Sequence, residues 1–501
     1  MKLYFDPAPA LWQPERFHYA AEQMMLTLFP GEKPEYPAQP PHTVEEGLYT
    51  RFTLERAGDR GVLTVHVGQG EQQTCAQYTF PAQELEQGTE QVYHTIQYTL
   101  KLAFYQAGTA LLGRQPPWGA LTGVRPVKLP TRAMAAGATP EEAQHQLEEE
   151  YHVSPQKAQL AVDCAKASLA AQQSLKDKEV SLYIGIPFCP TRCAYCSFVC
   201  ADVGRTLKLV PPYLDALLDE VEGIAQVMDK TGLSIRSFYI GGGTPTTLSA
   251  EQMDRLLTRC RQVLPLSSCT EYTVEAGRPD TITREKLEVL KAHDIGRISI
   301  NPQTMENPVL AAIGRHHTAE DIRQAYDLAR QVGFSCINMD LIAGLPRDSV
   351  AGFCRSLEEV VAMSPENITV HTLALKRGST LMAQGGTLPT GADVAQMLDF
   401  SRQTLSAQGY LPYYLYRQKY MSGSLENVGW AKPGTQSLYN MVMMEELHTV
   451  ISLGGGGVTK LIDPKNGKLL RLSNPKYPHD YLSAREKLAG QRQAIAAFYS
   501  R

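Results

Sequence analysis

The sequence predicts an α/β protein built on a partial (β/α)6 barrel, with an N-terminal α+β region before it and a mixed C-terminal domain after it. Three observations lead there. From residue 180 onward, six short β-branched runs alternate with amphipathic helical patterns; strands apolar on both faces in βαβα order build a parallel sheet. Between Tyr49 and Phe80 the texture differs, and "YTRFTLER", "GVLTVHVG" and "CAQYTF" alternate apolar with polar residues, the period of half-buried antiparallel strands. At 501 residues with 43% hydrophobic, the chain can bury a large core and divide into two or three domains.

Each element follows from local signals. "AGDRG" and "GQGEQQ" supply turn chemistry between the early strands. After Pro81 comes a helical stretch to about Leu112, a Pro- and Gly-rich loop "GRQPPWGALTGVRPVKLP", and a charged helical region through about Lys176, so 1–175 forms the N-terminal region. The barrel, 176–388, has strands at 180–186, 235–242, 271–276, 296–301, 336–344 and 367–375, separated by patterns such as "PYLDALLDEVEGIAQVM" and "AEDIRQAYDLARQVG". From Pro389 the pattern loosens into a helix, the Tyr-rich "YLPYYLYRQKY" and the Gly-rich "ISLGGGGVTK". Residues 389–501 are expected to cover one mouth of the barrel. In such folds active residues stand at the C-terminal ends of strands and in the loops that follow.

Charge and composition narrow the function classes. Lys plus Arg number 48 against 52 Asp plus Glu, a net charge of −4, and no basic run interleaved with aromatics marks a nucleic-acid surface. The opening "MKLYFD" reaches Asp6 without the apolar core of a secretory signal, and no stretch approaches the roughly eighteen apolar residues of a membrane span. A soluble cytoplasmic protein is expected, and a monomer. In that reducing compartment, crowded thiols are metal ligands or redox groups before they are disulfides.

Such crowding occurs at "GIPFCPTRCAYCSFVC", where Gly185–Cys200 holds four of the ten cysteines just after the first barrel strand. Cys189, Cys193 and Cys196 form CxxxCxxC, three thiolates suited to three corners of a cubane [4Fe–4S] cluster whose fourth iron has no obvious protein ligand. Tetrahedral structural zinc wants four ligands, and Cys75, Cys164, Cys260, Cys269, Cys336 and Cys354 form no second pair.

This motif, with Tyr195 before the last cysteine, resembles the radical S-adenosylmethionine (SAM) superfamily. There the amino and carboxylate groups of SAM chelate the open iron, and reductive cleavage yields methionine and a 5′-deoxyadenosyl radical, so three cysteines suffice. "IGGGTPTTL" ends the second strand. Its Gly241, Gly242 and Gly243 could simply turn the chain, yet with Thr244 they resemble the superfamily motif whose backbone meets the SAM amino group.

Further matches at successive strand ends resemble the oxygen-independent coproporphyrinogen III oxidase branch, most nearly its HemZ-type coproporphyrinogen dehydrogenases. Tyr183 stands in "YxxIPFC", Glu275 ends the third strand where the family carboxylate meets the ribose hydroxyls, Gln303 follows the fourth, and Arg315 lies in "IGRHHT". Asp340 lies in "DLIAGLP", and Ala374 ends the sixth strand. Taken singly, Glu275 or Asp340 reads equally as a satisfied ion pair, and Arg315 with His317 as the lead into a helix capped by Thr318. Relatives with a fourth nearby cysteine carry it two residues after the third, where this chain has Phe198, so Cys200 is expected not to be a ligand.

The resemblance implies oxidative decarboxylation of two propionates of coproporphyrinogen III to vinyl groups, giving protoporphyrinogen IX. Low-potential electrons would come from a flavodoxin or ferredoxin. Propionates call for cations, with Arg417, Lys419 and Lys432 as candidates and Arg125 after them. Two alternatives stay open: a heme-binding chaperone of the same branch, or another radical reaction on a tetrapyrrole, such as methylation or ring opening. Where the branch has "SRHN" before a Tyr-Trp pair, this chain reads "SLYNMVMMEE", with Tyr439 in the histidine's position.

Overall fold

The computed structural model describes all residues except 7–13, 38–46, 83–89, 197–200, 375–380, 382–387, 419–421, 464–466 and 501. The chain divides into two compact units, Met1–Val162 with Gly423–Leu425, and Asp163–Ser422 with Glu426–Arg501.

In the first unit, β2 (Leu48–Ala57), β3 (Arg60–Gln69) and β4 (Gln72–Pro81) form the antiparallel meander that the alternation predicts. β1 (Lys2–Phe5) joins β2 in parallel and adds an edge that the sequence pattern does not announce. Alternate residues of β3 are buried. Leu63, Val65 and Val67 meet Phe17, Met24 and Leu28 of α1 (Pro14–Leu28) and Ile96, Leu100 and Phe104 of α2 (Glu90–Leu112) in one core. The division between the two units lies between 162 and 163, within α3 (Pro155–Ser174).

The second unit contains the barrel. β5 (Glu179–Ile186), β6 (Ser234–Gly242), β7 (Glu271–Gly277), β8 (Arg297–Ile300), β9 (Cys336–Ala343) and β10 (Asn367–Thr372) pair in parallel in chain order. Leu182, Phe238, Val274, Ile298, Met339 and Ile368 are buried in it. Side-chain caps start the crossover helices: Ser249, Thr318 and Ser349 each accept a hydrogen bond from a backbone N–H of the first turn.

Residues 389–501 are continuous with this sheet. At one edge β12 (Asn427–Ala431) pairs antiparallel with β10 and carries β11 (Leu411–Tyr416). At the other, β13 (Val450–Gly454) runs parallel to β5 and leads through β14 (Val458–Ile462) to β15 (Leu469–Ser473). An open barrel presents two unpaired edges, and here β-strands cover both. The sheet therefore has eleven strands among the described residues. No helix among those residues is long and apolar enough to cross a membrane.

One buried network fastens the far edge to the barrel. Glu220, on α4 (Val210–Thr231), accepts hydrogen bonds from Gly454 N at 2.8 Å, from Asn474 Nδ2 at 3.1 Å and from the Tyr481 hydroxyl. Beside it Tyr213 donates to Gly185 O at 2.6 Å and accepts from Gly455 N at 2.7 Å. Replacing Glu220 by Leu would take the acceptor from the buried Gly454 N–H and Tyr481 hydroxyl; a loss of about 2–4 kcal/mol is expected, read as a lowered denaturant midpoint in the unfolding of the second unit.

Candidate active site

The C-terminal ends of β5–β10 open on a cavity of about 620 Å³. All the residues expected from the sequence to hold a cluster or SAM line it: Cys189, Cys193, Cys196, Tyr183, Tyr195, Gly242, Gly243, Thr244, Glu275, Gln303, Arg315, Asp340 and Ala374. Their convergence follows from topology, since parallel strands in sequential order bring every strand end to one rim.

The thiol loop is held by backbone pairing with the glycine run. Gly243 N donates to Ile186 O at 2.8 Å and Thr244 N to Phe188 O at 2.7 Å. A Cβ on Gly243 would collide with the Phe188 carbonyl oxygen and come within 3.0 Å of Cys189 Sγ, and one on Gly241 would stand 2.9 Å from the Glu275 carboxylate. Glycine is thus required for close approach here. Cys193 is buried, Cys189 and Cys196 half-buried, and Thr244 Oγ1 lies 3.5 Å from Cys189 Sγ.

Polar groups line the next strands. Tyr239 donates to Glu275 Oε1 at 2.5 Å. Burial outweighs that hydrogen bond, and with the charge of Asp340 nearby it pushes the Glu275 carboxyl up to about 7. Asp340 behaves oppositely: despite burial, His371 at 3.8 Å and Asn338, donating at 2.8 Å, hold it below the usual carboxylate range. Gln303 has a left-handed φ of 70°; its N–H donates to Asp340 O and its C=O accepts from Ile342 N, which fixes the residue against β9. Arg315 donates to Asn301 O at 2.6 Å and to the Tyr195 hydroxyl at 3.1 Å.

An aromatic wall faces these groups. Tyr239 and Tyr439 stack at 4.4 Å between centroids, with Tyr183 6.2 and 6.1 Å from them. Tyr439 opens α5 (Leu438–Glu445), whose first turn is tied down by Glu271: its carboxylate accepts from Ser437 Oγ, Leu438 N and Tyr439 N at 2.7–3.1 Å, the charge a helix N-terminus favours. Tyr239, Lys460, His371, Asn338 and Arg278 also line the cavity. Sequence reasoning missed them because each sits inside an ordinary strand or turn with no motif around it; only the inward phase of the strands could have hinted at Tyr239.

The cations expected for propionates fare differently. Lys432 Nζ is engaged by Ser364 O and Oγ, both at 2.8 Å, and does not line the cavity. Arg417 is buried outside the lining, where desolvation pulls it down to about 10. Arg125 belongs to the first unit, and Lys419 and Cys200 lie outside the described residues.

The cavity fits the cofactors that the thiol motif implies. Gln303 Oε1, Asn301 Oδ1 and Arg315 Nε are buried without a hydrogen-bond partner among the described residues, as expected of polar atoms built for a ligand. Among the described residues no three His, Cys, Asp or Glu side chains converge on a point suited to a single metal ion. A cluster takes each thiolate on a different iron, so its ligands need not converge. Gly243→Ala should push the thiol loop away and sharply lower the iron retained after anaerobic reconstitution; Gly296→Ala, whose Cβ meets nothing within 4 Å, should leave it unchanged.

Comparison with known proteins agrees. Residues 183–357 match the Radical SAM superfamily. The chain is 42% identical over 420 residues, 83% of each chain, to the oxygen-independent coproporphyrinogen-III oxidase-like protein HemZ of Bacillus subtilis. It is 33% identical to the heme chaperone HemW of the same organism, over 52% of this chain and 66% of that one. The solved coproporphyrinogen III oxidase HemN of Escherichia coli shares the fold at TM-score 0.50 and 22% identity, covering 64% of this chain and 72% of that one. With the thiol loop, glycine run and strand-end carboxylates gathered at one rim, this chain belongs to the radical SAM superfamily, in the family of the oxygen-independent coproporphyrinogen-III oxidase-like protein HemZ.

Proposed function

We propose that the protein catalyses oxidative decarboxylation of the propionates of coproporphyrinogen III to vinyl groups, giving protoporphyrinogen IX. The observation that carries this reading is the single cavity in which three thiols, a glycine cradle and strand-end carboxylates face a wall of stacked tyrosines. The family's cofactors are a [4Fe–4S] cluster and SAM, and when bound they supply a carbon radical able to take a hydrogen atom from an unactivated carbon.

The chain's own residues then bind and orient. Cys189, Cys193 and Cys196 would hold the cluster through their thiolates. Glycines 241–243 would let the backbone approach the SAM amino group, while Glu275 would accept from the ribose hydroxyls. Gln303, Arg315, Asp340 and Ala374 complete that pocket. Tyr183, Tyr239 and Tyr439 offer a flat surface for a pyrrole ring, and Lys460, in the lining, brings the charge a propionate needs. Each propionate would give up a hydrogen atom from the carbon β to its carboxylate to the adenosyl carbon, then carbon dioxide, and one electron to a one-electron acceptor; no side chain is asked to move a proton at the reacting carbon. Positioning and exclusion of water are the protein's share.

Two observations favour this reading over the chaperone alternative raised by the HemW relatives. Tyr439 presents no imidazole for heme iron, and His371, the histidine in the cavity lining, is paired with Asp340.

Anaerobic turnover with SAM, a low-potential flavodoxin or ferredoxin, and coproporphyrinogen III should release two carboxyl groups per macrocycle, with 5′-deoxyadenosine formed in step, as read by mass spectrometry. Intact propionates beside 5′-deoxyadenosine would reject the decarboxylation, and tight heme binding without turnover would favour the chaperone. Cys193→Ala should abolish both the iron–sulfur absorbance and SAM cleavage. Because Glu275 is ionised only above about 7 and a carboxylate accepts from hydroxyls more strongly than the protonated acid does, SAM affinity should rise as pH climbs from 6 to 8, by up to about tenfold per unit on the acid side. Equilibrium titration should show a shallower slope in Glu275→Gln.

A further inference from the structure

The structure assigns to Arg278 a role that the family resemblance does not include: it holds the thiol loop in shape and sets the reduction potential of the bound cluster. This rests on Cys193 being a cluster ligand.

Arg278 follows β7 directly and is 3% exposed. One edge of its guanidinium faces the loop between the first two thiols. Nη1 donates to Thr191 Oγ1 at 2.8 Å and to Thr191 O at 3.2 Å, and stands 3.9 Å from Cys193 Sγ. The opposite edge is clamped by Asp280, with Nε and Nη2 donating to its two carboxylate oxygens at 3.0 and 2.7 Å. His317, its side chain 1% exposed, lies 3.7 Å from the same carboxylate. Across the loop, Arg315 holds Tyr195 and Asn301.

A buried guanidinium is stable only with a partner and filled hydrogen bonds. Asp280 supplies the partner, and its bidentate grip fixes the plane of the ring, so the N–H groups aimed at Thr191 and Cys193 have no other direction to point. An N–H beside a cluster sulfur withdraws electron density from the thiolate and stabilises the reduced, more negative cluster, which raises its potential. Asp280 partly offsets that positive charge. The pair is thus a balanced device: Arg278 moves the potential up, and Asp280 keeps it low enough to stay strongly reducing. The contact with the Thr191 carbonyl adds a mechanical role, pinning the CPTRC turn between its cysteines.

The test is an EPR-monitored redox titration of the reconstituted full-length protein, with iron content measured alongside. Arg278→Gln should shift the midpoint to more negative potential, and Asp280→Asn, which leaves the guanidinium uncompensated, to less negative. A purely structural role would not give shifts of opposite sign. An unchanged midpoint in iron-loaded Arg278→Gln overturns the tuning role. If that variant does not retain iron, Asp280→Asn decides alone, and its unchanged midpoint overturns the inference. If the unsubstituted protein assembles no cluster, the ligand assignment of Cys193 falls first, and the tuning role with it.

Discussion

The site depends on the pairing of two backbones that lack side chains between them. Gly243 and Thr244 give their N–H groups to Ile186 and Phe188, and these bonds seat the thiol loop on the next strand. On the other side of β5, Gly454 has room for no Cβ because the Gly185 carbonyl occupies that space. The thiol loop therefore springs from a strand gripped on both flanks by glycine turns. Backbone contact of this kind positions to within a few tenths of an ångström and leaves few rotamers to lose.

Charge is arranged around that frame in opposed pairs. Glu275, buried near another carboxylate, is pushed up to about 7 against the pull of the Tyr239 hydroxyl, whereas Asp340, supplied with His371 and Asn338, is held below the usual carboxylate range. Two carboxylates on one rim are thus given different proton affinities by their surroundings. On the cysteine side, burial works against the Asp280 carboxyl, but His317 and Arg278 hold it well below the usual carboxylate range. These groups sit where a charged ligand and a cluster would meet, and each is already matched by a neighbour, so binding does not begin by desolvating a lone ion.

The C-terminal segment is part of the same device. Its strands close both edges of the sheet, and α5, drawn to Glu271 at the start of β7, delivers Tyr439 onto Tyr239. An acid at one end of a barrel strand thereby sets the aromatic wall along the cavity. Capping interactions commonly fix helix entry angles; here the helix they fix carries a cavity-lining ring.

Much of this was legible in the amino-acid order. Periods of two and 3.6 residues, caps such as Thr318, and the CxxxCxxC and GGGTP runs are local signals, and local geometry follows from neighbours along the chain. Sequential βα units then oblige strand ends to share a rim, and the resemblance to the coproporphyrinogen oxidase branch picks out Glu275, Gln303 and Asp340 among the residues there. The tertiary structure alone decided the rest: that residues 389–501 would extend the barrel sheet instead of standing apart, that Lys432 would be taken up by Ser364 and not by the cavity, and that Arg278 would reach Thr191 across 87 residues. Such contacts depend on which edges remain unpaired and which buried donors still need acceptors once the chain has closed on itself, and no window of sequence contains that information.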